Sequence, residues 1–169
     1  MLAKIKTPVT ENMIKDLRIG DRLQITGTIY TGRDAILPLL AKAIKKNNLS
    51  SVNVNLKGAI IIHSGVSNAG IGSTTSNKVE IEENIPILSE AGIKIHIGKG
   101  ALSQKTIEAL HKFHSIFAII PPVNVLLTKT IISKEVVAFP EQGFEAMHKL
   151  IVKDFPALVA VCQGKSIYD

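Results

Sequence analysis

At 169 residues the chain has room for one domain and at most a short appendage, which excludes two full catalytic domains. Apolar residues make up 46%, enough for a buried core, and no apolar stretch reaches the roughly 18–20 residues that cross a bilayer. The net charge of +6 comes from 17 Lys and only 3 Arg (Arg18, Arg22, Arg33), dispersed and without aromatic interleaving, which argues against a nucleic-acid surface and suits an anionic small molecule or an acidic partner.

Residues 1–8 alternate loosely and read as an edge strand ending at Pro8, after which Thr10 can cap a short helix carrying Met13, Ile14 and Leu17. Gly20-Asp21 turns the chain into a half-buried strand over 23–30, where Leu23, Ile25, Gly27 and Ile29 alternate with polar positions. Thr31-Gly32-Arg33-Asp34 then leads into a helix with Ile36, Leu37, Leu40, Ala43 and Ile44 at helical spacing. Pro38 limits where that helix starts, and Lys45-Lys46 suit its negative end. The apolar run 59–62 predicts a central strand.

Residues 64–77 hold three glycines among mostly hydroxyl and amide side chains, directly ahead of a helical pattern beginning near Lys78. Asn77 and Glu80 have capping-box spacing, and Pro86 predicts a kink or restart before the segment closes at Ala91-Gly92. A strand over 93–97 runs into Gly98-Lys99-Gly100, Ser103 caps a helix over 104–113, and a buried strand over 116–120 stops at Pro121-Pro122. The stretch 123–132 fits helix or strand, with helix preferred. Residues 136–139 read as a strand, 144–153 as a helix with Phe144, Met147, Leu150 and Ile151 inward, and 157–161 as the last strand. Alternating strands and helices define an α/β class with partly parallel pairing.

In an open α/β layer, ligands collect beyond the carboxyl ends of strands, where helix N–H groups point outward. Both unusual loops fall there. The 64–77 loop offers close backbone approach, hydroxyls and a helix start, and Lys99 supplies a mobile cation. Arg33, at a strand-to-helix turn, has the planar fork that holds a carboxylate, although pairing with Asp34 is the simpler reading. Together these indicate a carboxylate or phosphate ligand. Cys162 closes no internal disulfide and is too few for a Cys-pair zinc site or an iron–sulfur cluster. His111 and His114 are read as surface residues rather than a metal pair, so no metal ligand is assigned. With one cysteine and no apolar signal core in MLAKIKTPVTEN, the expected setting is the reducing cytoplasm.

Taken in order, Gly27-Thr28-Ile29-Tyr30-Thr31-Gly32-Arg33-Asp34-Ala35, His63-Ser64-Gly65, Gly72-Ser73-Thr74-Thr75-Ser76, Gly98-Lys99-Gly100 and Gly164-Lys165-Ser166-Ile167-Tyr168 carry a resemblance. The set resembles the β subunit of two-subunit class I fumarate hydratases and L(+)-tartrate dehydratases, which corresponds to the C-terminal domain of single-chain class I fumarases. The resemblance implies one swivelling β/β/α three-layer domain with mixed sheets over residues 1–169. Such a domain closes over a [4Fe-4S] cluster carried by a partner α subunit, no cofactor being bound by this chain.

The implied reaction is the addition or removal of water on a small hydroxy-dicarboxylate. Thr74 would be the proton-handling hydroxyl, and Arg33, Thr75, Lys78 and Lys99 would bind substrate. Several positions depart from the family pattern, among them Ile36-Leu37-Pro38 where Ala-His-Lys is usual, Ser73 where a proline is usual, Lys78 where an arginine is usual, Val79-Glu80 after it, and Pro121-Pro122-Val123-Asn124-Val125 in place of a glycine- and alanine-rich run. Two other readings stay open, a diverged small-anion-binding or regulatory paralogue of the same fold and a nucleotide-phosphate binder using the 64–77 loop.

Overall fold

A computed structural model describes residues 1–169, with the side chains of all but Ser51 and Lys78. Along the chain come β1 (Leu2–Lys6), α1 (Glu11–Ile14), β2 (Arg22–Thr31), α2 (Ile36–Lys45), β3 (Ile60–Ile62), β4 (Val66–Ser67), β5 (Gly70–Ile71), α3 (Lys78–Glu90) and β6 (Ile95–Gly98). There follow α4 (Gln104–Lys112), β7 (Ile116–Ile119), α5 (Asn124–Lys129), β8 (Ile131–Ala138), β9 (Met147–Cys162) and β10 (Lys165–Ser166). The fold is mixed α/β.

Strands β1, β2, β3, β6 and β7 pair parallel, whereas β8, β9 and β10 join the same sheet antiparallel. The sheet closes on itself. Strand β9 pairs with β2 along one edge and with β8 and β7 along the other, so β2, β3, β6, β7 and β9 form a ring. Two cores follow from the two-residue strand period. Ile60 and Ile62 face the inside with Ile25, Ile97 and Phe155, while Ile61 faces outward onto a layer built from α2, α3 and α4. All three isoleucines of β3 are fully buried, which accounts for their uninterrupted apolar run.

Most elements fall where the sequence predicts, with instructive exceptions. Helix α3 runs from Lys78 through Pro86 to Glu90 without the expected restart. Ile81, Ile85 and Leu88 are buried on both sides of the proline. At about 1.5–3 kcal/mol each, that burial outweighs the roughly 3 kcal/mol cost of an interior proline. The Asn77 side chain makes no cap bond, so the Asn77–Glu80 box does not form, and Thr10 does not cap α1 either. Ser103 does cap α4, accepting from the Thr106 amide. The 64–77 loop contains the β4–β5 hairpin, and α5 gives way to strand at Ile131, leaving the helix reading of 123–132 right for its first half only.

The helix expected over 144–153 is instead the first part of β9, after a 3-10 turn at Pro140–Glu145. Apolar residues at 144, 147, 150 and 151 mimic a helical face. In the sheet, Leu150 and Val152 are buried before a bulge, and Phe155, Ala157 and Val159 after it. The extra residue of β9 opposite Ile25 and Gly27, with Asp154 at φ 58°, flips the alternation by one. That change of parity conceals a period of two from any single reading window.

Candidate active site

Thr31 pairs with Ile62, and Ile62 with Ile97, so Gly32, His63 and Gly98 stand side by side where three parallel strands end. The Gly32 amide donates to the Ile62 carbonyl (2.9 Å) and the His63 amide to the Ile97 carbonyl (2.8 Å), which fixes this rim. Arg33, Ser64 and Lys99 are each the next residue. The topology therefore brings three separate sequence motifs to one edge of the sheet.

The 64–77 loop is folded back on that edge. Ser64 Oγ donates to the Gly72 carbonyl at 2.6 Å, and the Gly72 amide donates to the Gly65 carbonyl at 2.9 Å. The Phe144 ring lies over Gly65, where any Cβ would collide with it. Beyond this clasp Thr74 and Thr75 are 6% and 8% exposed. The Thr75 amide donates to the His63 carbonyl at 2.8 Å, and Thr75 Oγ1 accepts from the Asn77 amide at 3.2 Å. This side-chain bond, rather than the predicted capping box, ties the start of α3 to the loop.

Of the residues expected to bind substrate, Thr75 and Lys99 share the wall of a small cavity with His63 and Asn77. Thr74 adjoins them in sequence. Arg33 is on the same rim but outside that cavity. Its Nε lies 2.7 Å from Glu145 Oε1, an ion pair without the straight N–H···O approach of a hydrogen bond, and its guanidinium sits 6.0 Å from the Phe144 ring centroid. The partner of Arg33 is thus Glu145 and not the adjacent Asp34. The Lys78 side chain lies outside the described residues.

Sequence reasoning missed the buried polar layer under the rim. His63 is 1% and His96 0% exposed, with ring centroids 5.8 Å apart. Burial pushes His63 down to about 4, the negative charge of Asp34 acting weakly the other way. Burial, and then the neighbouring His63, hold His96 well below its ordinary value. His96 is bonded to Ser89 Oγ at 2.9 Å. Gly98 makes room for this layer, since a Cβ there would stand 2.8 Å from His63 Nδ1 and 2.9 Å from the Phe117 ring. The signal was available, because each histidine continues or interrupts a run of isoleucines in a strand buried on both faces. His111 and His114, by contrast, are exposed as predicted.

The residues here do not suit a metal centre. Cys162 is buried with Sγ 3.4 Å from the Leu17 carbonyl, burial raises its thiol pKa, and among the described residues no group of three His, Cys, Asp or Glu could hold an ion. A cavity of about 580 Å³ lies beyond the end of β7, against Leu23, Ile119, Ile120, Pro121, Pro156 and Leu158. Its walls are mostly apolar, with Arg22, Gln24 and Asp154 as polar members. No helix is long and apolar enough among the described residues to cross a membrane.

Fold and rim together define a mixed α/β domain that presents a lysine and buried threonines at the carboxyl ends of parallel strands. The chain belongs to the Fumarase C-terminus family, whose sequence model matches residues 2–169. It is 33% identical over 178 residues to a protein named as a class I fumarate hydratase in Geobacillus stearothermophilus, covering 98% of this chain and 33% of that one. It is 31% identical over 150 residues to the anaerobic class I fumarate hydratase of Escherichia coli K12, covering 85% and 27%. With the L(+)-tartrate dehydratase subunit beta of the same strain it shares 29% identity over 166 residues, covering 92% and 80%. The chain thus spans about a third or less of the fumarate hydratases it matches and most of the tartrate dehydratase subunit. The relatives are hydro-lyases by name.

Proposed function

We propose that this chain is the substrate-holding β subunit of a hydro-lyase of the fumarate hydratase or tartrate dehydratase type, acting in the cytoplasm with a cluster-bearing α subunit. In this reading residues 1–169 form a single swivelling domain of β/β/α layers, and the [4Fe-4S] cluster belongs to the partner. The observation that carries the proposal is the register of β2, β3 and β6, which sets Arg33, the loop leading to Thr74 and Thr75, and Lys99 on one rim in a member of this family.

Lys99 takes one carboxylate of a hydroxy-dicarboxylate by charge, and Thr75 supports it from the same wall. Arg33 exchanges Glu145 for a second carboxylate, and Lys78 adds charge at the start of α3. Thr74 handles the proton at the carbon that gains or loses it as water adds or leaves. Burial of Thr74 and Thr75 limits competing water, which strengthens these contacts.

Co-expression with a candidate α chain tests the proposal. A stable complex that turns over fumarate, malate or tartrate is the expected result, whereas no complex and no turnover rejects it. One observation favours a second reading, a paralogue that binds a small anion or regulates: with Arg33 engaged by Glu145, Lys99 and the threonines remain for a single anionic group rather than a dicarboxylate clamp. Calorimetry on the isolated chain separates the two. Appreciable dicarboxylate or phosphate affinity without the α chain supports the binder, and affinity only with the α chain supports the enzyme subunit.

A further inference from the structure

Four buried polar atoms at and under the rim lack hydrogen-bond partners among the described residues: Arg33 Nε, which is ion-paired with Glu145, Asp34 Oδ1, His63 Nε2 and His96 Nδ1. More than nine in ten buried polar groups in folded proteins are satisfied, and an orphan costs about 1–3 kcal/mol. Such a concentration at one place implies a missing partner. His63 also helps to line a cavity of about 10 Å³ whose polar walls are Thr75, Ser76, Asn77, Glu82 and Lys99. That volume admits one water and is too small for a carboxylate, and the site offers the two to four polar groups that a buried water needs.

We propose that His63 is a positioning residue that holds a single buried water, and that this water, anchored on the Thr75 hydroxyl, fixes Lys99 in the orientation in which it meets a ligand. The donors determine how the water is arranged. Lys99 can only donate. Thr75 Oγ1 already accepts the Asn77 amide, so its own proton is free to be given. These two donors occupy both lone pairs of the water, whose protons therefore point outward, one to His63 Nε2 and the other toward the Glu82 carboxylate in the same wall. Nε2 must then be an acceptor, which requires a neutral ring carrying its proton on Nδ1. His63 and Thr75 stand at the two ends of the 64–77 loop and Lys99 follows β6, so one water links that loop to the next strand end.

The structural arm of the test needs no partner. In a high-resolution crystal structure of the full chain we expect an ordered water within hydrogen-bond distance of His63 Nε2, Thr75 Oγ1 and Lys99 Nζ. Imidazole nitrogen shifts at pH 7 should report the Nδ1–H tautomer for His63. A dry cavity or the Nε2–H tautomer overturns the proposal.

The kinetic arm rests on the functional reading above and uses the complex with the α chain. His63→Leu should raise KM about tenfold, the loss of one to two hydrogen bonds, and His63→Gln, which keeps a polar atom at this depth, should recover most of it. Equal KM effects from both variants in folded protein overturn the positioning role. If the complex turns over no hydroxy-acid, the functional reading fails, and the water and the tautomer still decide this proposal.

Discussion

The two buried histidines make folding stability sensitive to mild acid in a way that can be worked out from His63. Its pKa is about 4 in the folded chain against 6.5 for the ordinary group. Between those values the unfolded chain binds a proton that the folded chain does not, so stability falls as pH falls. The contribution is fully present above about pH 6.5, is lost progressively toward pH 4, and levels off below. From pH 7 to pH 5 the loss attributable to His63 is about 2 kcal/mol. His96, also held low by burial, acts in the same direction. Asp21, whose carboxyl is held below 3.8 by the N-terminal ammonium 2.8 Å away, loses its own contribution only at more acidic pH. Urea titrations from pH 7.5 to 4.5 measure the slope, and His63→Gln should reduce it by about one proton between pH 6.5 and 4.5. A flat profile for the native chain, or an unchanged slope in a folded His63→Gln variant, would refute the reasoning.

Gly98→Ala should destabilise the fold by about 1–3 kcal/mol in the same titrations, because the new Cβ meets His63 Nδ1 at 2.8 Å and the Phe117 ring at 2.9 Å, and neither has room to move. Glu145→Gln should change stability by less than about 1 kcal/mol, since the Arg33 pair is partly exposed, yet strengthen dicarboxylate binding measured by calorimetry in the complex by freeing the guanidinium. Removing the loop clasp with Ser64→Ala should cost about 1 kcal/mol, and faster amide exchange should appear at Gly72, whose own bond to Gly65 depends on the fold of that loop.

Where burial is one-sided or total, the sequence was a good guide to the fold. The alternation of β2 and the isoleucines of β3 each had one satisfactory explanation. Met147, Leu150 and Ile151 fitted two, and pairing with β2 and β8, invisible to local spacing, decides for strand. The restart expected at Pro86 does not occur for the same reason, since the burial of Ile81, Ile85 and Leu88 against distant elements is not written in the helix itself. At the candidate site the loops and Lys99 were legible because glycine, hydroxyl and lysine at strand ends have few other uses together. The engagement of Arg33 by Glu145 was not legible, because 112 positions separate the pair along the chain. The His63–His96 layer had a sequence signal that only strand register turns into a contact.

The ring is closed by the last long strand, with Leu23 of β2 facing Ala157 of β9 and Ile119 of β7 facing Leu158. During synthesis, therefore, the inner core cannot be sealed until residues beyond 160 have left the ribosome. Until then the free edge of β2 and the isoleucines behind it stay open to other strands. Such late, long-range pairing is slow and leaves a growing chain vulnerable to association. Truncation even a short way into β9 should therefore yield aggregating protein rather than a smaller working domain.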